Sequence, residues 1–272
     1  YFGWGRMKEK ILVITCDGSG DNICASVNIG YKGKLERIAY IEETHSIGRL
    51  YSNVTYLLGM MPLEHEYKVM GLSPYAERSK ESISIAEKLE KLFVFDHNNP
   101  LIWRRNGCPP MQYASDFLAS LFNLKRFDHI AAGVQIFTEK FLVKWVRNCI
   151  LETGIKRVAL GGGVFMNVKA NQKILEIPEL EELFIFPACG DEGNAMGSAW
   201  LLYNQLFQEN PKPLTHLYLG NEFGNEYVES LLQKYKFVNK VKISHVQNIE
   251  KAVAELLSDG KIVARFKGKM EF

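Results

Sequence analysis

Two strand–loop–helix units in succession, within residues 157–200, constrain the fold of this chain more than any other feature. In the first unit, the apolar residues 158–160 lead into the three consecutive glycines Gly161–Gly163, and a helical pattern follows at once. In the second unit, the apolar residues 183–186 lead into the loop ACGDEG, and another helical pattern follows. Strands that alternate with helices are typical of a parallel sheet covered by helices, so the pattern predicts an α/β protein.

The loops of these two units suggest a site for a phosphate and a metal. Glycines leave the backbone N–H groups open to a ligand, and a helix N-terminus behind such a loop carries a partial positive charge. The second loop contains Asp191 and Glu192, whose carboxylates are suitable ligands for the metal that accompanies a phosphate. Glycine-rich turns also serve packing alone, and that alternative stays open. No GxxxxGK[ST] motif occurs, and no GxGxxG follows a strand, so the common nucleotide-binding motifs are absent.

Composition excludes several other classes of protein. The 272 residues are 47% hydrophobic and carry 33 basic and 31 acidic side chains, a net charge of +2, with no basic stripe. The charge therefore does not indicate nucleic acid as a partner. The five cysteines are scattered without a CxxC pair, which is typical of reduced thiols and not of a disulfide framework or a zinc site. No signal peptide or membrane-length apolar run occurs. These features predict a cytoplasmic protein with no membrane partner.

The first half of the chain shows a meander and a polar cluster. Residues 11–15, 23–29 and 35–41 are predicted strands, and the turn after the first, CDGSGDN, either wraps a phosphate or is only a hairpin turn. The segment EHEYK at 64–68 gathers carboxylates, a histidine and a lysine, but it lacks the HExxH spacing of metalloproteases, and a solvated helix start is the alternative. Residues 80–125 are interpreted as an insertion that caps the cleft.

The second half contains the clearest helix and a change of pattern. Apolar residues recur at helical spacing through residues 127–152, which predicts a helix with a buried face. The members of this stripe are Ile130, Val134, Phe137, Phe141, Trp145 and Cys149. Asn210-Pro211-Lys212-Pro213 indicates a linker. Beyond it we predict helices near 225–235 and 249–257 and strands at 241–246 and 262–266.

Together these stretches resemble the O-carbamoyltransferases that modify antibiotics and nodulation factors. Their first domain is similar to the universal tRNA threonylcarbamoyl-transfer subunit. The resemblance is carried by VITCDGSGD (13–21), SIGRLYSNVTYLLGMMPLEHEYKVMGLSPYA (46–76), LGGGVFMNVKANQKI (160–174) and FPACGDEGNAMGSAW (186–200). The final stretch, GKIVARFKGKMEF (260–272), resembles the opening of the family's second domain.

The resemblance implies an actin/hexokinase-like (ASKHA) duplicated nucleotide-binding fold with a cleft between two halves. The meander is expected in one half and the twin strand–loop–helix units in the other. The implied domains are a carbamoyltransferase N-terminal domain at 1–209 that lacks its own N-terminal part, a linker at 210–216, and the truncated beginning of an α/β, YrdC-like domain at 217–272.

The resemblance also implies an activity. The complete enzymes use ATP and carbamoyl phosphate to make carbamoyl-adenylate in the second domain, and the first domain passes the carbamoyl group to a hydroxyl of a small acceptor. A divalent metal, Fe²⁺ or Mg²⁺, is implied as well, and a homodimer is left open as the assembly.

Individual positions match the family's site residues. The position that matches the metal-binding aspartate is Asp191. The positions that match the nucleotide-binding turn and loops are Asp17, Gly18, Gly161, Gly162, Gly163, Asn167 and Gly190. The positions in stretches that line the acceptor side, predicted as catalytic, are His45, Glu66 and Lys68.

The chain also departs from the family pattern. The histidine pair HxxxH, which supplies the other metal ligands, is absent, and Lys267 and Lys269 replace the usual glutamine and arginine. We therefore expect a fragment with one metal ligand of three that is inactive alone. Two other functions stay open: a kinase or ATPase that transfers a phosphoryl group directly, and a nucleotide-binding scaffold without chemistry.

Overall fold

The computed structural model of the chain describes residues 1–235 and 241–271. The chain divides into two compact units, 1–213 and 214–272, and this division falls inside the predicted linker 210–216. Each unit is described by itself.

A five-stranded sheet forms the centre of the first unit, with the strand order β3-β2-β1-β6-β7. Its strands are β1 (Ile11–Gly20), β2 (Ile23–Tyr31), β3 (Lys34–Glu42), β6 (Arg157–Gly161) and β7 (Glu182–Ile185), and a separate two-stranded sheet pairs β4 (Phe93–Phe95) with β5 (Trp103–Arg105). β1, β2 and β3 form the predicted antiparallel meander, whereas β6 lies parallel to both β1 and β7. The sheet is therefore mixed, with three parallel strands that end on the same side.

Seven helices accompany this sheet in the first unit: α1 (Ile47–Leu57), α2 (Glu66–Leu72), α3 (Lys80–Glu90), α4 (Ser115–Leu121), α5 (Phe127–Thr153), α6 (Val168–Leu175) and α7 (Gly193–Phe207). The predicted apolar stripe of α5 is confirmed, because all six of its members are buried. α5 ends at Gly154, whose φ of 67° and N–H bond to the Ile150 carbonyl are the features expected of a glycine that terminates a helix. None of the helices of the described residues is long and apolar enough to cross a membrane.

The placement of the meander and the twin units in different halves is wrong. β1 and β6 are hydrogen-bonded neighbours, with Leu12 opposite Val158 and Ile14 opposite Leu160, so both features belong to one sheet. A parallel neighbour needs a long crossover connection, and the helices between β3 and β6 provide it. The structure thus shows a mixed α/β fold with one central sheet, and the duplication stays a prediction.

The interpretation of residues 80–125 as a cap over the cleft is also wrong. Side chains of this stretch, including Leu89, Trp103 and Leu118, are buried in the main core. At the contact between α3 and α5, a Cβ on Gly133 would lie 2.4 Å from Ile85 Cγ2, so the helices approach each other closely. The stretch therefore packs as part of the core.

The second unit contains α8 (Asn225–Lys234) and α9 (Ile249–Ser258). The predicted strands at 241–246 and 262–266 are wrong, since both stretches lack strand pairing. A strand is stable only when its backbone groups pair with a neighbour, and the described residues of this unit offer no sheet for them to join. Two backbone bonds, from Gly220 N to the Met270 carbonyl and from Met270 N to the Asn221 carbonyl, connect the two ends of this unit.

Candidate functional site

A cavity of about 340 Å³ lies at the carboxyl ends of β1, β6 and β7. Ligands of open α/β sheets bind at this end of the strands, because the loops there carry exposed backbone N–H groups and helix N-termini. Its walls come from the end of β1, from α1, α2 and α5, and from the loops before α2 and after β6 and β7. The residues that line it are Asp17, Gly18, Ile47, Gly48, Tyr51, Ser52, Leu63, Glu64, Glu66, Tyr67, Met70, Thr138, Gly163, Val164, Met166, Asn167, Gly190, Asp191 and Glu192.

The first wall is the irregular end of β1. The pairing with β2 shifts register between Cys16 and Gly20, which turns Asp17 and Gly18 toward the cavity. Asp17 Oδ1 accepts a 2.7 Å hydrogen bond from Gly18 N, which holds the carboxylate. A Cβ on Gly48 would lie 2.6 Å from the Asp17 carbonyl oxygen, so α1 can start this close to the turn only with glycine there.

The glycine loop after β6 combines packing with exposure to the cavity. Gly162 has a φ of 97°, donates a 2.7 Å hydrogen bond to the Cys189 carbonyl, and would place a Cβ 2.2 Å from the Cys16 carbonyl oxygen. Gly162 therefore brings the carboxyl end of β6 into contact with the end of β1 and with the loop after β7, and only glycine fits there. Of the three glycines predicted to bind nucleotide, Gly163 lines the cavity, whereas Gly161 and Gly162 do not.

Asn167 follows this loop and begins α6. Its Oδ1 accepts a 3.0 Å bond from Ala170 N, the hydrogen bond expected of an N-cap residue. The same side chain is paired with Gln135 of α5 through two hydrogen bonds of 2.8 and 2.9 Å. Asn167 lines the cavity, as expected of a ligand-binding residue, and its predicted role stays a prediction.

The acidic loop after β7 brings Gly190, Asp191 and Glu192 to the cavity. The N-cap position of α7 belongs to Glu192, and no side chain caps this helix end. Helix capping thus does not account for Asp191, whose side chain is exposed. Within residues 1–235 and 241–271, no group of three His, Cys, Asp or Glu side chains could hold a metal. The described residues therefore form at most part of a metal site.

The three residues predicted as catalytic lie in different surroundings. Glu66 lines the cavity, where its Oε1 accepts 2.8 Å bonds from Ser52 Oγ and from Leu63 N. One of its carboxylate oxygens thus fastens the loop before α2 to α1. Lys68 is not among the lining residues, and its Nζ lies 5.7 Å from the centre of the Tyr67 ring.

His45 also lies outside the cavity lining. Its Nδ1 accepts a 3.3 Å bond from Arg105 N, and its carbonyl accepts a 2.9 Å bond from Trp103 Nε1. Burial, followed by the positive charge of Arg105, lowers the pKa of His45 below its usual value. These contacts bond His45 to β5. In this structure its ring does not reach a ligand in the cavity directly.

The sequence-based predictions missed cavity residues on two helices. Tyr51 and Ser52 lie one turn after Ile47 and Gly48 on α1, so i, i+4 spacing groups these four residues on the cavity side. On α5, Thr138 lies in the cavity wall and Gln135 is buried beside it, where they interrupt the apolar stripe. Polar residues on the core face of a helix were the signal that could have identified them.

The charge of the lining is one-sided. Five of the lining side chains are carboxylates, namely Asp17, Glu64, Glu66, Asp191 and Glu192, and the described lining contains no lysine or arginine. An anionic ligand in this cavity would have to bind through backbone N–H groups, neutral donors or an accompanying cation.

The sheet, the cavity at its carboxyl end and the acidic loop define an α/β protein with a candidate ligand site. A family model described as "Carbamoyltransferase N-terminus" matches residues 6–200, and the chain therefore belongs to this family. It is 31% identical to the uncharacterized protein MJ1051 of Methanocaldococcus jannaschii, over 97% of the chain and 50% of the relative. It is 29% identical to the nodulation protein NolNO of Sinorhizobium fredii, over 97% of the chain and 38% of that protein.

The chain spans half or less of the length of these relatives. Among solved structures, full-length HypF in its phosphate- and nucleotide-bound form aligns with a TM-score of 0.43 and 15% identity, covering 75% of this chain and 41% of HypF. The resemblance to carbamoyltransferases is confirmed by the family match and by the nodulation proteins among the relatives.

Proposed function

We propose that the protein transfers a carbamoyl group to a hydroxyl of a small molecule, with ATP and carbamoyl phosphate as co-substrates and carbamoyl-adenylate as the intermediate. The observation that carries this proposal is the family match over residues 6–200 combined with the position of the cavity. All four stretches that resemble O-carbamoyltransferases contribute residues to that cavity, including Asp17, Glu66, Asn167 and Asp191.

In the proposed transfer step, the acceptor hydroxyl oxygen forms a bond to the carbamoyl carbon. The bond between that carbon and the adenylate phosphate oxygen breaks, AMP leaves, and the hydroxyl proton passes to a base. Glu66 is the carboxylate of the predicted catalytic set that lines the cavity, so we assign it to the acceptor side. The roles of His45 and Lys68 remain predictions from resemblance. The cytoplasmic location remains a prediction from composition, and a homodimer stays open.

We propose that the protein binds a divalent metal, of whose ligands the described residues supply only a part. Asp191 would supply one carboxylate ligand, and its exposed position in the loop after β7 leaves it free to do so. Because no three-ligand group occurs in the described residues, further ligands would have to come from elsewhere. When bound, the cation would neutralise phosphate charge beside the five carboxylates of the lining.

The test is the consumption of ATP by the whole protein in the presence and absence of carbamoyl phosphate. The proposal requires AMP and pyrophosphate to form only when carbamoyl phosphate is present, and it requires label from the carbamoyl carbon to appear on an added hydroxyl acceptor. Formation of ADP without carbamoyl phosphate would indicate a phosphoryl-transfer enzyme instead. Absence of any turnover with intact nucleotide binding would favour the scaffold alternative.

The Glu66→Gln variant tests the assignment of the acceptor side. Glutamine keeps the Oε1 acceptor for Ser52 and Leu63 N but cannot take a proton, so the loop should stay in place. We expect the carbamoyl-transfer rate to fall by about 10²-fold or more while carbamoyl-adenylate still forms. Loss of adenylate formation together with transfer would place Glu66 on the nucleotide side.

A further inference from the structure

Gln135 is a buried polar residue in the N-terminal third of α5, with 1% of its surface exposed. Its side-chain amide uses its full hydrogen-bonding capacity. Oε1 accepts from Tyr51 Oη at 2.9 Å and from Asn167 Nδ2 at 2.8 Å, and Nε2 donates to Glu139 Oε1 at 2.8 Å and to Asn167 Oδ1 at 2.9 Å. A saturated, buried amide of this kind holds its partners in one arrangement.

The orientation of both amides follows from the groups at the two ends of this network. The Ala170 backbone N–H can only donate, so the atom of Asn167 facing it is the oxygen. The Glu139 carboxylate accepts, so the atom of Gln135 facing it is the nitrogen. Burial raises the pKa of Tyr51, so its hydroxyl keeps its proton and donates to Gln135. Neither amide can flip without breaking these bonds.

Asn167 consequently keeps a single free hydrogen-bonding group. Its Oδ1 accepts from both Gln135 and Ala170 N, which uses both lone pairs, and one of its two N–H groups is donated to Gln135. What remains within the described residues is one N–H on a side chain that lines the cavity. Asn167 can therefore donate to a ligand but cannot accept from one.

Three of the four other hydroxyls in the cavity lining already donate within the protein, whereas that of the exposed Tyr67 has no bonded acceptor among the described residues. Tyr51 donates to Gln135, Ser52 donates to Glu66, and Thr138 donates to the Val134 carbonyl at 2.8 Å. The lining has five carboxylates and no described basic side chain, and among its described residues Asn167 is the one whose side chain carries N–H groups. The remaining N–H of Asn167 is thus well placed to recognise an acceptor atom of a ligand.

We propose that Gln135 is a positioning residue that holds the Asn167 amide so that one N–H points into the cavity and binds an acceptor atom of the nucleotide. This inference rests on the proposed function, in which the ligand is an adenine nucleotide. Ribose hydroxyls, ring nitrogens and phosphate oxygens of such a ligand all accept hydrogen bonds, whereas a ligand that offered only donors would find no partner at Asn167.

A double-mutant cycle tests the positioning role in the whole protein, with ATP as the probe and calorimetry as the measurement. Gln135→Met keeps the length of the side chain but removes all four hydrogen bonds, and Asn167→Ser keeps an oxygen that can cap α6 but removes the N–H. Each variant should weaken ATP binding about tenfold. The double variant should bind no more weakly than Asn167→Ser alone, because both changes remove the same contact.

The matched control is Val146→Ala, a truncation of a fully buried residue on the same helix, away from the cavity. It should lower the melting temperature and leave the affinity for ATP unchanged. If it weakens ATP binding as much as Gln135→Met does, general destabilisation explains the effect and the positioning role is overturned. Additive losses in the double variant would overturn it as well.

A second measurement decides the role of Gln135 without any ligand. In protein labelled with ¹⁵N-asparagine, the Asn167 side-chain amide is identified by its absence from the Asn167→Ser spectrum. One of its protons should exchange slowly with solvent, and Gln135→Met should abolish this protection. Fast exchange in the wild type would overturn the proposal. Protection together with no ATP binding by the wild type would support the positioning of Asn167 but overturn the nucleotide part of the proposed function.

Discussion

The two strand–loop–helix units share the same order of elements but lie in different surroundings. The helix of the first unit, α6, buries Ala170, Asn171 and Ile174. The helix of the second unit, α7, has no buried residue. It exposes Leu202 to 54% and Leu206 to 66%. The same local pattern therefore leads to a packed helix in one unit and a largely exposed helix in the other.

Position in the sheet explains this difference. β6 lies between β1 and β7, so the helix that follows it packs against α5 in the interior. β7 lies at the edge of the five-stranded sheet, and α7 packs mainly against the 3₁₀ turn Phe2–Trp4. An edge strand has covering elements on fewer sides, and its helix has fewer partners. The loops differ in the same way. We call the glycine loop the fixed loop, because Gly162 packs against the Cys16 carbonyl and donates a hydrogen bond to the Cys189 carbonyl. We call the acidic loop the open loop, because the side chains of Asp191 and Glu192 are exposed.

The largest effect should come from adding one carbon to the fixed loop. Gly162→Ala places a Cβ 2.2 Å from the Cys16 carbonyl oxygen at a φ of 97°, which combines overpacking with an unfavourable backbone conformation. We expect the free energy of unfolding to fall by about 3 kcal/mol. Denaturant-induced unfolding monitored by circular dichroism measures this change.

Gly161→Ala is the matched control for this change. A Cβ at Gly161 meets no atom within 4 Å, so its substitution should change the stability by less than about 0.5 kcal/mol. Equal losses for the two variants would mean that the loop is not fixed by the contact between Gly162 and Cys16.

An intermediate loss of stability is expected at Trp200, which packs α7 of the second strand–loop–helix unit against its neighbours. The Trp200 ring packs edge-on against the Phe186 ring, with 5.9 Å between their centres, and its Cη2 lies 3.0 Å from where a Cβ on Gly3 would be. Trp200→Ala should destabilise the protein by about 1–2 kcal/mol, less than a fully buried tryptophan, because this side chain is partly exposed.

Leu206→Ala on the same helix is the comparison for the tryptophan. Since Leu206 is 66% exposed, its truncation should lie within about 0.5 kcal/mol of the wild type. Thermal unfolding of both variants measures the difference. A loss at Leu206 as large as that at Trp200 would show that the outer face of α7 is covered in solution.

The same contrast shows how much could be predicted from the sequence. The strands and helices of residues 157–208 follow from local periodicity, and so does the buried stripe of α5. The burial of α6 and the exposure of α7 depend on which strand lies at the edge, and local pattern contains no information on strand order. The assignment of the meander and the twin units to different halves failed for this reason.

The candidate site shows a similar limit. Asp17, Gly163, Asn167 and Asp191 come from segments with a recognisable sequence pattern, and they do line one cavity. His45 and Lys68 are predicted because they lie in stretches that line the acceptor side in relatives. A stretch does not decide where each side chain points, because side chains at adjacent positions point in different directions. Gln135 was missed because the partners of a polar residue on the core face of a helix are known only once the helix is placed against its neighbours.

The smallest effect on stability, and the largest expected on function, concerns Asp191 in the open loop. Asparagine has nearly the same shape and caps helices as well as aspartate, so Asp191→Asn changes little besides the charge. Because Asp191 is exposed and α7 has no side-chain cap, the melting temperature should stay within experimental error of the wild type. If Asp191 supplies a metal ligand, as proposed, the variant of the whole protein should lose most of its bound divalent metal and its carbamoyl-transfer activity.

Glu192→Gln separates a specific ligand from the general effect of negative charge. Both residues lie at the start of α7 and line the cavity, so each substitution removes one unit charge from the same region. A ligand role for Asp191 requires a clearly greater loss of metal, measured by elemental analysis, in Asp191→Asn than in Glu192→Gln. Equal, small losses of metal in the two variants would mean that the loop contributes only negative charge to the electrostatic field of the cavity. A lower melting temperature in Asp191→Asn would instead show that the open loop is fixed in solution, and the contrast with the glycine loop would then fail.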